Sequence, residues 1–216
     1  MKILPATPRN RAVSLPELIV IIAVVGLLAA MLIMPAGTDK SKVLRIVCGN
    51  QLKSVAFAFR IWAGDNGDRY PMAFYTNAAG GPAFADSSNA FRYFEVISNE
   101  LSTPVLLVCP KDRARRIATN FTSDFNNQRV SYFVGLQARK SNPNLLLAGD
   151  RDLTSGPGPL DGVLTLSTNQ SARWLGKLHP EGGNVALTDG SVSQLTSSGL
   201  NTAVLHSGVT NWLLFP

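Results

Sequence analysis

Residues 9–35 read RNRAVSLPELIVIIAVVGLLAAMLIMP. From Leu18 to Met34 no residue is charged, and Ile, Val, Leu and Ala predominate. Counted from Val13, the run has 22 residues. As a helix it would be about 33 Å long at ~1.5 Å per residue, enough for the roughly 30 Å hydrocarbon core of a bilayer. The flank before it carries Lys2, Arg9 and Arg11 and no acid. The positive-inside tendency keeps that end in the cytoplasm and places the body of the chain across the membrane. A cleaved secretory signal would have a shorter apolar core. A plain signal anchor leaves Glu17 unexplained. An unpaired charge costs about 2.5–3.5 kcal/mol at the membrane centre, and less near an interface. Cleavage just before Val13 would create a cationic amine, and a neighbouring subunit could bring its own amine beside this Glu17. Opposite charges that pair escape most of the penalty of burying either alone. Pro16 fits the first turn of such a helix, where N–H groups have no internal acceptor.

The chain has 216 residues and a net charge of +6. Beyond the apolar run there is enough chain for one medium domain with a core of its own. From Ala36 onward, 17 Lys and Arg face 13 Asp and Glu, so the basic balance is mild. Its densest cluster, Lys111, Arg113, Arg115 and Arg116, is diluted by Asp112 and reads as solvated surface. No aromatic–basic interleaving of the kind that reads single-stranded nucleic acid is present, so nucleic acid is not an expected partner.

Between Asp39 and Trp62 the apolar residues Leu44, Cys48, Leu52, Val55, Phe59 and Trp62 recur at helical spacing. They predict an amphipathic helix packed on a sheet, ended by Asn66-Gly67-Asp68 and Pro71. With the membrane segment it would form one long rod bent at Pro35 and Gly37. Residues 73–89 read as a loop and Phe91–Leu101 as a short helix. Strands are expected over Val105–Cys109, Arg129–Val134, Asn144–Ala148 and Gly162–Leu166, with a loop over Gly149–Gly158. The segment GGNVALTDGSVSQLT, residues 182–196, predicts a hairpin. Asp189-Gly190 suits a two-residue type I′ turn, which would place Leu187 opposite Val192. Leu200–Leu205 reads as a short helix. The apolar tail from Trp212 to Pro216 is expected to dock on the core or on a partner.

Little in the chain points to catalysis. There is no Gly-x-Ser-x-Gly elbow, no phosphate-binding glycine loop and no His-Glu-x-x-His. A membrane-anchored hydrolase would need a polar cleft joining His179 or His206 to an acid. Cys48 and Cys109 are not a Cys-x-x-Cys pair, and two histidines make a zinc cluster implausible. The two cysteines are either buried thiols or a disulfide, which by the chain-entropy model would contribute roughly 4 kcal/mol. Asp150, Asp152 and Asp161 stand at positions one, three and twelve of a calcium-loop pattern. Ser155 occupies the place of its glycine, and position twelve is Asp rather than Glu, so they are weak calcium candidates. No other metal or cofactor is expected.

The segment Ala12-Val13-Ser14-Leu15-Pro16-Glu17-Leu18 resembles the processing site of type IV prepilins and type II secretion pseudopilins. Ala12 stands where that family has Gly, and Val13 where it has Phe. Pro35 matches a proline near the end of the pilin membrane helix. The spacing His179-x9-Asp189-Gly190 resembles the C-terminal signature of a prepilin-like group found mainly in planctomycetes and verrucomicrobia. Cys48-Gly49-Asn50-Gln51-Leu52-Lys53 and Cys109-Pro110 stand at two further landmarks of that group. The resemblance implies an α+β, pilin-like fold in which a long transmembrane-plus-amphipathic helix packs on a small antiparallel β-sheet head. Its parts would be a leader (1–12), a transmembrane helix (13–35), an amphipathic helix (36–68) and a periplasmic head (69–216). It implies cleavage between Ala12 and Val13 by a prepilin peptidase, methylation of Val13, and docking through Glu17. The chain would be a single-pass inner-membrane protein with a cytoplasmic N-terminus. It would be added to a pseudopilus or pilus through other pilin-like subunits and an inner-membrane assembly platform, and would not be an enzyme. The alternative is a pilin-anchored periplasmic binding module for ligand or DNA uptake.

Overall fold

The computed structural model describes residues 14–32, 40–77, 82–86, 89–160 and 162–216. Ala12, Val13, Pro35, Gly37 and Asp161 lie outside them. The chain divides into two units, Met1–Asp39 and Lys40–Pro216.

Helix α1 (Leu15–Leu32) is the described part of the first unit. It has 18 residues. That makes it about 27 Å long at ~1.5 Å per residue, against roughly 30 Å of hydrocarbon. Among the described residues no helix is long and apolar enough to cross a membrane. Residues 14–30 are exposed throughout.

The second unit is an α+β head. Its spine is α2 (Lys40–Asp65). Cys48, Leu52, Val55, Phe59 and Trp62 line its inner face as the spacing requires, and all are buried. Burying an aliphatic or Phe side chain of this kind contributes about 1.5–3 kcal/mol. The helix ends where the Asn66 side-chain amide donates to the Trp62 carbonyl (2.8 Å) and the Asp68 N–H to that of Ala63 (2.8 Å). Three short helices follow: α3 (Pro71–Phe74), α4 (Arg92–Val96) and α5 (Ser98–Leu101). The helix expected over Phe91–Leu101 is thus broken at Ile97.

The strands are β1 (Tyr132–Gly135), β2 (Leu146–Asp150), β3 (Leu153–Ser155), β4 (Val163–Leu166), β5 (Ala172–Trp174), β6 (Gly183–Leu187), β7 (Val192–Leu195) and β8 (Asn211–Leu214). Helix α6 (Ser197–Ser207) lies between the last two. Six strands form one antiparallel sheet in the order β4-β8-β1-β2-β6-β7, and β3 pairs with β5. Both faces of the main sheet are covered. Tyr132, Val134, Ala148 and Ala186 join the core under α2. Phe133, Leu146, Val185 and Leu213 join a second core with α6, Leu153 and Trp174. The apolar tail does dock on the core, as the strand β8 between β1 and β4.

Three expectations are corrected. Val105–Cys109 is not a strand: a 3₁₀ turn covers Pro104–Leu107, because Pro104 presets its first position and the Thr103 hydroxyl accepts the Val105 N–H at 3.4 Å. Gly149–Gly158 is not one loop, since β2 runs to Asp150 and β3 begins at Leu153. The hairpin forms, but Val192 faces Ala186 rather than Leu187. Of Asp189 and Gly190 only the glycine takes a positive φ (+88°). Asp189 instead accepts the Ser191 N–H at 2.8 Å. The loop therefore holds three residues, Thr188 to Gly190, and the register shifts by one.

Candidate functional site

Of the three residues expected to carry processing and assembly, Ala12 and Val13 lie outside the described residues. Glu17 occupies the third position of α1. One of its oxygens, Oε2, accepts from the Ser14 N–H (3.3 Å) and from the Ser14 hydroxyl (3.2 Å). The Ser14 carbonyl accepts the Leu18 N–H at 3.1 Å. This is the reach-back half of a capping box, and Ser-x-x-Glu ahead of an apolar run was a readable signal for it. Glu17 therefore has a partner within a single chain.

In the space between α2 and the sheet, chain segments distant in sequence meet. Cys48 comes from α2 and Asp150 from the end of β2. Cys109 follows the 3₁₀ turn, and His179 lies on the segment entering β6. None is more than 1% exposed. One donor atom from each lies within 4.8 Å of the other three. The Cys48 thiol donates to Asp150 Oδ1 at 3.3 Å. Cys109 Sγ is 3.6 Å from His179 Nε2, and the same nitrogen is 3.4 Å from Asp150 Oδ2. The two cysteines are free thiols rather than a disulfide. The Tyr132 hydroxyl, 3.5 Å from Cys48 Sγ, closes one side.

A surrounding frame holds these segments together. Asp150 Oδ2 accepts from the Asn184 N–H (2.7 Å) and its side-chain amide (3.0 Å). The turn after Cys109 is closed by the Asp112 N–H donating to the Cys109 carbonyl (2.8 Å). Asp112 is then clamped by Arg151, whose Nε and Nη2 donate to its two oxygens at 2.6 and 2.9 Å. The Asp152 carboxylate accepts the Leu178 N–H at 2.8 Å. Asp112 thus ties the Cys109 turn to the residue after Asp150, and Asp152 ties the same segment to the residue before His179. At Gly183 a Cβ would fall 2.5 Å from the Trp174 ring, so only glycine lets this strand enter so close to the aromatic.

The electrostatics follow from this enclosure. Hydrogen bonding with Cys48 lowers the Cys109 thiol; burial opposes it, His179 adds to it, and the result is about 5. The same contact with Cys109, followed by burial and the Asp150 charge, pushes the Cys48 thiol up. Burial raises Asp150 to about 6 despite the Asn184 amide. Burial likewise raises Tyr132.

The arrangement is not a relay. Thiol and carboxylate both face Nε2, whereas a general-base triad needs them on opposite ring nitrogens. Among the described residues, the four side chains are at most 1% exposed, so a substrate has no direct contact with them. His206 is exposed on α6, away from any such enclosure.

The other expected residues separate. Asp189 and Gly190 stand at the hairpin tip, the end of β6 opposite to His179. Asp150 and Asp152 make separate contacts: one faces the thiols and His179, and the other accepts the Leu178 N–H. Where no zinc-type cluster was expected, two thiols, one imidazole and one carboxylate converge. Neither the number of histidines nor close spacing in sequence reveals this convergence. The fourth donor is an aspartate, and every donor comes from a different stretch of chain. Cys48, Cys109 and His179 were each noticed separately as landmarks, but no local pattern linked them to Asp150.

Comparison of the chain with protein-family models, curated proteins and solved structures returns no match.

Proposed function

We propose that the chain is a structural pilin- or pseudopilin-like subunit, cut before Val13, anchored in the inner membrane by residues 13–35, and added to a filament through its N-terminal helix. The observation that carries this reading is α1 itself. It is apolar on every side, exposed over residues 15–30, and bears one acid, Glu17, in its first turn. A helix without a polar face needs lipid or other helices around it. The outer side of α2 supports the reading. Val43, Ile46, Phe57 and Ile61 recur there at helical spacing, with Phe57 66% exposed. The binding-module alternative has less support. In the basic cluster, the Lys111 amine donates to the Ser41 hydroxyl, and Arg115 donates to the carbonyls of Val130 and Pro216 and to Gln128 Oε1. Half the charge in that cluster is therefore committed to internal contacts.

Mass spectrometry of the mature N-terminus, paired with crosslinking in native membranes, tests the proposal. A methylated Val13 terminus and crosslinked ladders are expected. An intact Met1, or a cut near Ala30 or Gly37, would overturn it.

A further inference from the structure

We infer that Cys48, Cys109, Asp150 and His179 bind one Zn²⁺ in a closed tetrahedral site that locks α2 to the sheet. This goes beyond the assembly role and does not depend on it.

The donor set is the first argument. Two sulfurs, one imidazole and one carboxylate suit a borderline-soft divalent ion that prefers four ligands. Spacing is the second. With Zn–S about 2.3 Å and Zn–N or Zn–O about 2.0–2.1 Å, the edges of a tetrahedron run from about 3.3 to 3.8 Å. The contact between Cys48 Sγ and Asp150 Oδ1 is 3.3 Å, and that between Cys109 Sγ and His179 Nε2 is 3.6 Å. These are two opposite edges of such a figure. Asp150 Oδ1 lies beside Cys48 Sγ, while Oδ2 takes the two Asn184 hydrogen bonds and lies 3.4 Å from His179 Nε2. Hydrogen-bonded ligating carboxylates are the usual outer-shell pattern of metal sites.

Charge is the third argument. Asp150 is fully buried. Its one ion-pair partner among the described residues is His179. A buried carboxylate beside two thiols is an expensive arrangement unless a cation stands among them. A Cys48–Cys109 disulfide would leave that carboxylate facing a neutral bond. His179 points the same way. Its Nε2 faces the cluster, 3.6 Å from Cys109 Sγ and 3.4 Å from Asp150 Oδ2.

When the ion enters, the two thiols give up their protons to solvent and bind as thiolates, and the neutral imidazole binds through Nε2. Nothing is oxidised or reduced. With four protein ligands, none more than 1% exposed, the site is structural rather than catalytic.

The test uses the full chain in detergent, purified under reducing conditions, with metal content measured by mass spectrometry. One zinc per chain is expected. Replacing zinc with Co²⁺ should give the intense visible bands of a tetrahedral ion and a thiolate-to-cobalt charge-transfer band. Because Cys48→Ser and Cys109→Ser alter fully buried core positions, Asn184→Ala serves as the milder variant. It keeps all four ligands and should weaken zinc retention against a competing chelator by roughly 10–100-fold. A zinc-free chain after equilibration with the metal, a Cys48–Cys109 disulfide in the purified protein, or an octahedral cobalt spectrum would each overturn the inference.

Discussion

Glu17 offers a clean separation of two roles. In the single chain it caps α1 through Ser14, and in the proposed filament it pairs with the amine of a neighbour. Gln can take the same reach-back position in a capping box but carries no charge. Ala can do neither. The cap contact is exposed, so removing it costs about 0.5–1 kcal/mol, towards the low end for helix caps. Losing the charge partner of an amine buried among apolar helices costs about 3–5 kcal/mol, or roughly two to nearly four orders of magnitude in association. If pairing dominates, Glu17→Gln and Glu17→Ala should both abolish assembly while leaving the head folded. The assay is sedimentation and crosslinking of the filament fraction. Circular dichroism monitors the fold, and N-terminal mass spectrometry checks that cleavage still occurs. Glu17→Gln assembling like the wild type while Glu17→Ala fails would refute the pairing argument and leave Glu17 as a helix cap.

Other perturbations probe the head. Asp112→Asn removes one partner of a largely buried, two-pronged ion pair. It should lower stability by about 3 kcal/mol, which for a domain of this size means a melting temperature roughly 6–12 °C lower by calorimetry. Burial pushes the Asp112 carboxyl up, but the Arg151 guanidinium outweighs it and holds the group below the usual carboxylate range. Its contribution is therefore present at neutral pH and lost as pH falls through that depressed value, so the wild-type head should lose more stability in acid than Asp112→Asn does. Gly183→Ala drives a methyl into the Trp174 ring and should cost about 1–3 kcal/mol, with altered near-ultraviolet dichroism. Phe57→Asp should leave the melting temperature of the head within about 2 °C of wild type, as an exposed substitution, while weakening filament formation. Stripping zinc should lower the melting temperature by roughly 8–16 °C if the ion is present at about a thousandfold above its dissociation constant.

The long helices were legible because their signals are local. The face of α2 could be read from Cys48 to Trp62 one turn at a time, and Ser14-x-x-Glu17 was readable as a cap. The hairpin was legible in place but not in register. Whether Asp189 takes a positive φ depends on its side chain bonding to Ser191, a contact that competes with the two-residue turn. Val105–Cys109 looked like a strand because an apolar run does not distinguish extended chain from a 3₁₀ turn; Thr103 and Pro104 decide it. Asp150 looked like a loop residue because its neighbours Arg151 and Asp152 are polar. Its actual environment is set by β1 and β6, which no local window contains.

The four cluster residues also bear on how the head comes to be folded. Cys48 and Asp150 lie 102 residues apart, and Cys109 and His179 lie 70 apart. The two spans overlap, so neither loop can close as a self-contained piece while the other waits. Sequence-distant pairings of this kind carry their loop-closure entropy before any contact rewards it, which slows folding. A fragment ending before His179 or starting after Cys48 lacks one side of the knot of contacts. The head should therefore resist proteases until it opens as a whole, and then be lost in a single step rather than trimmed domain by domain.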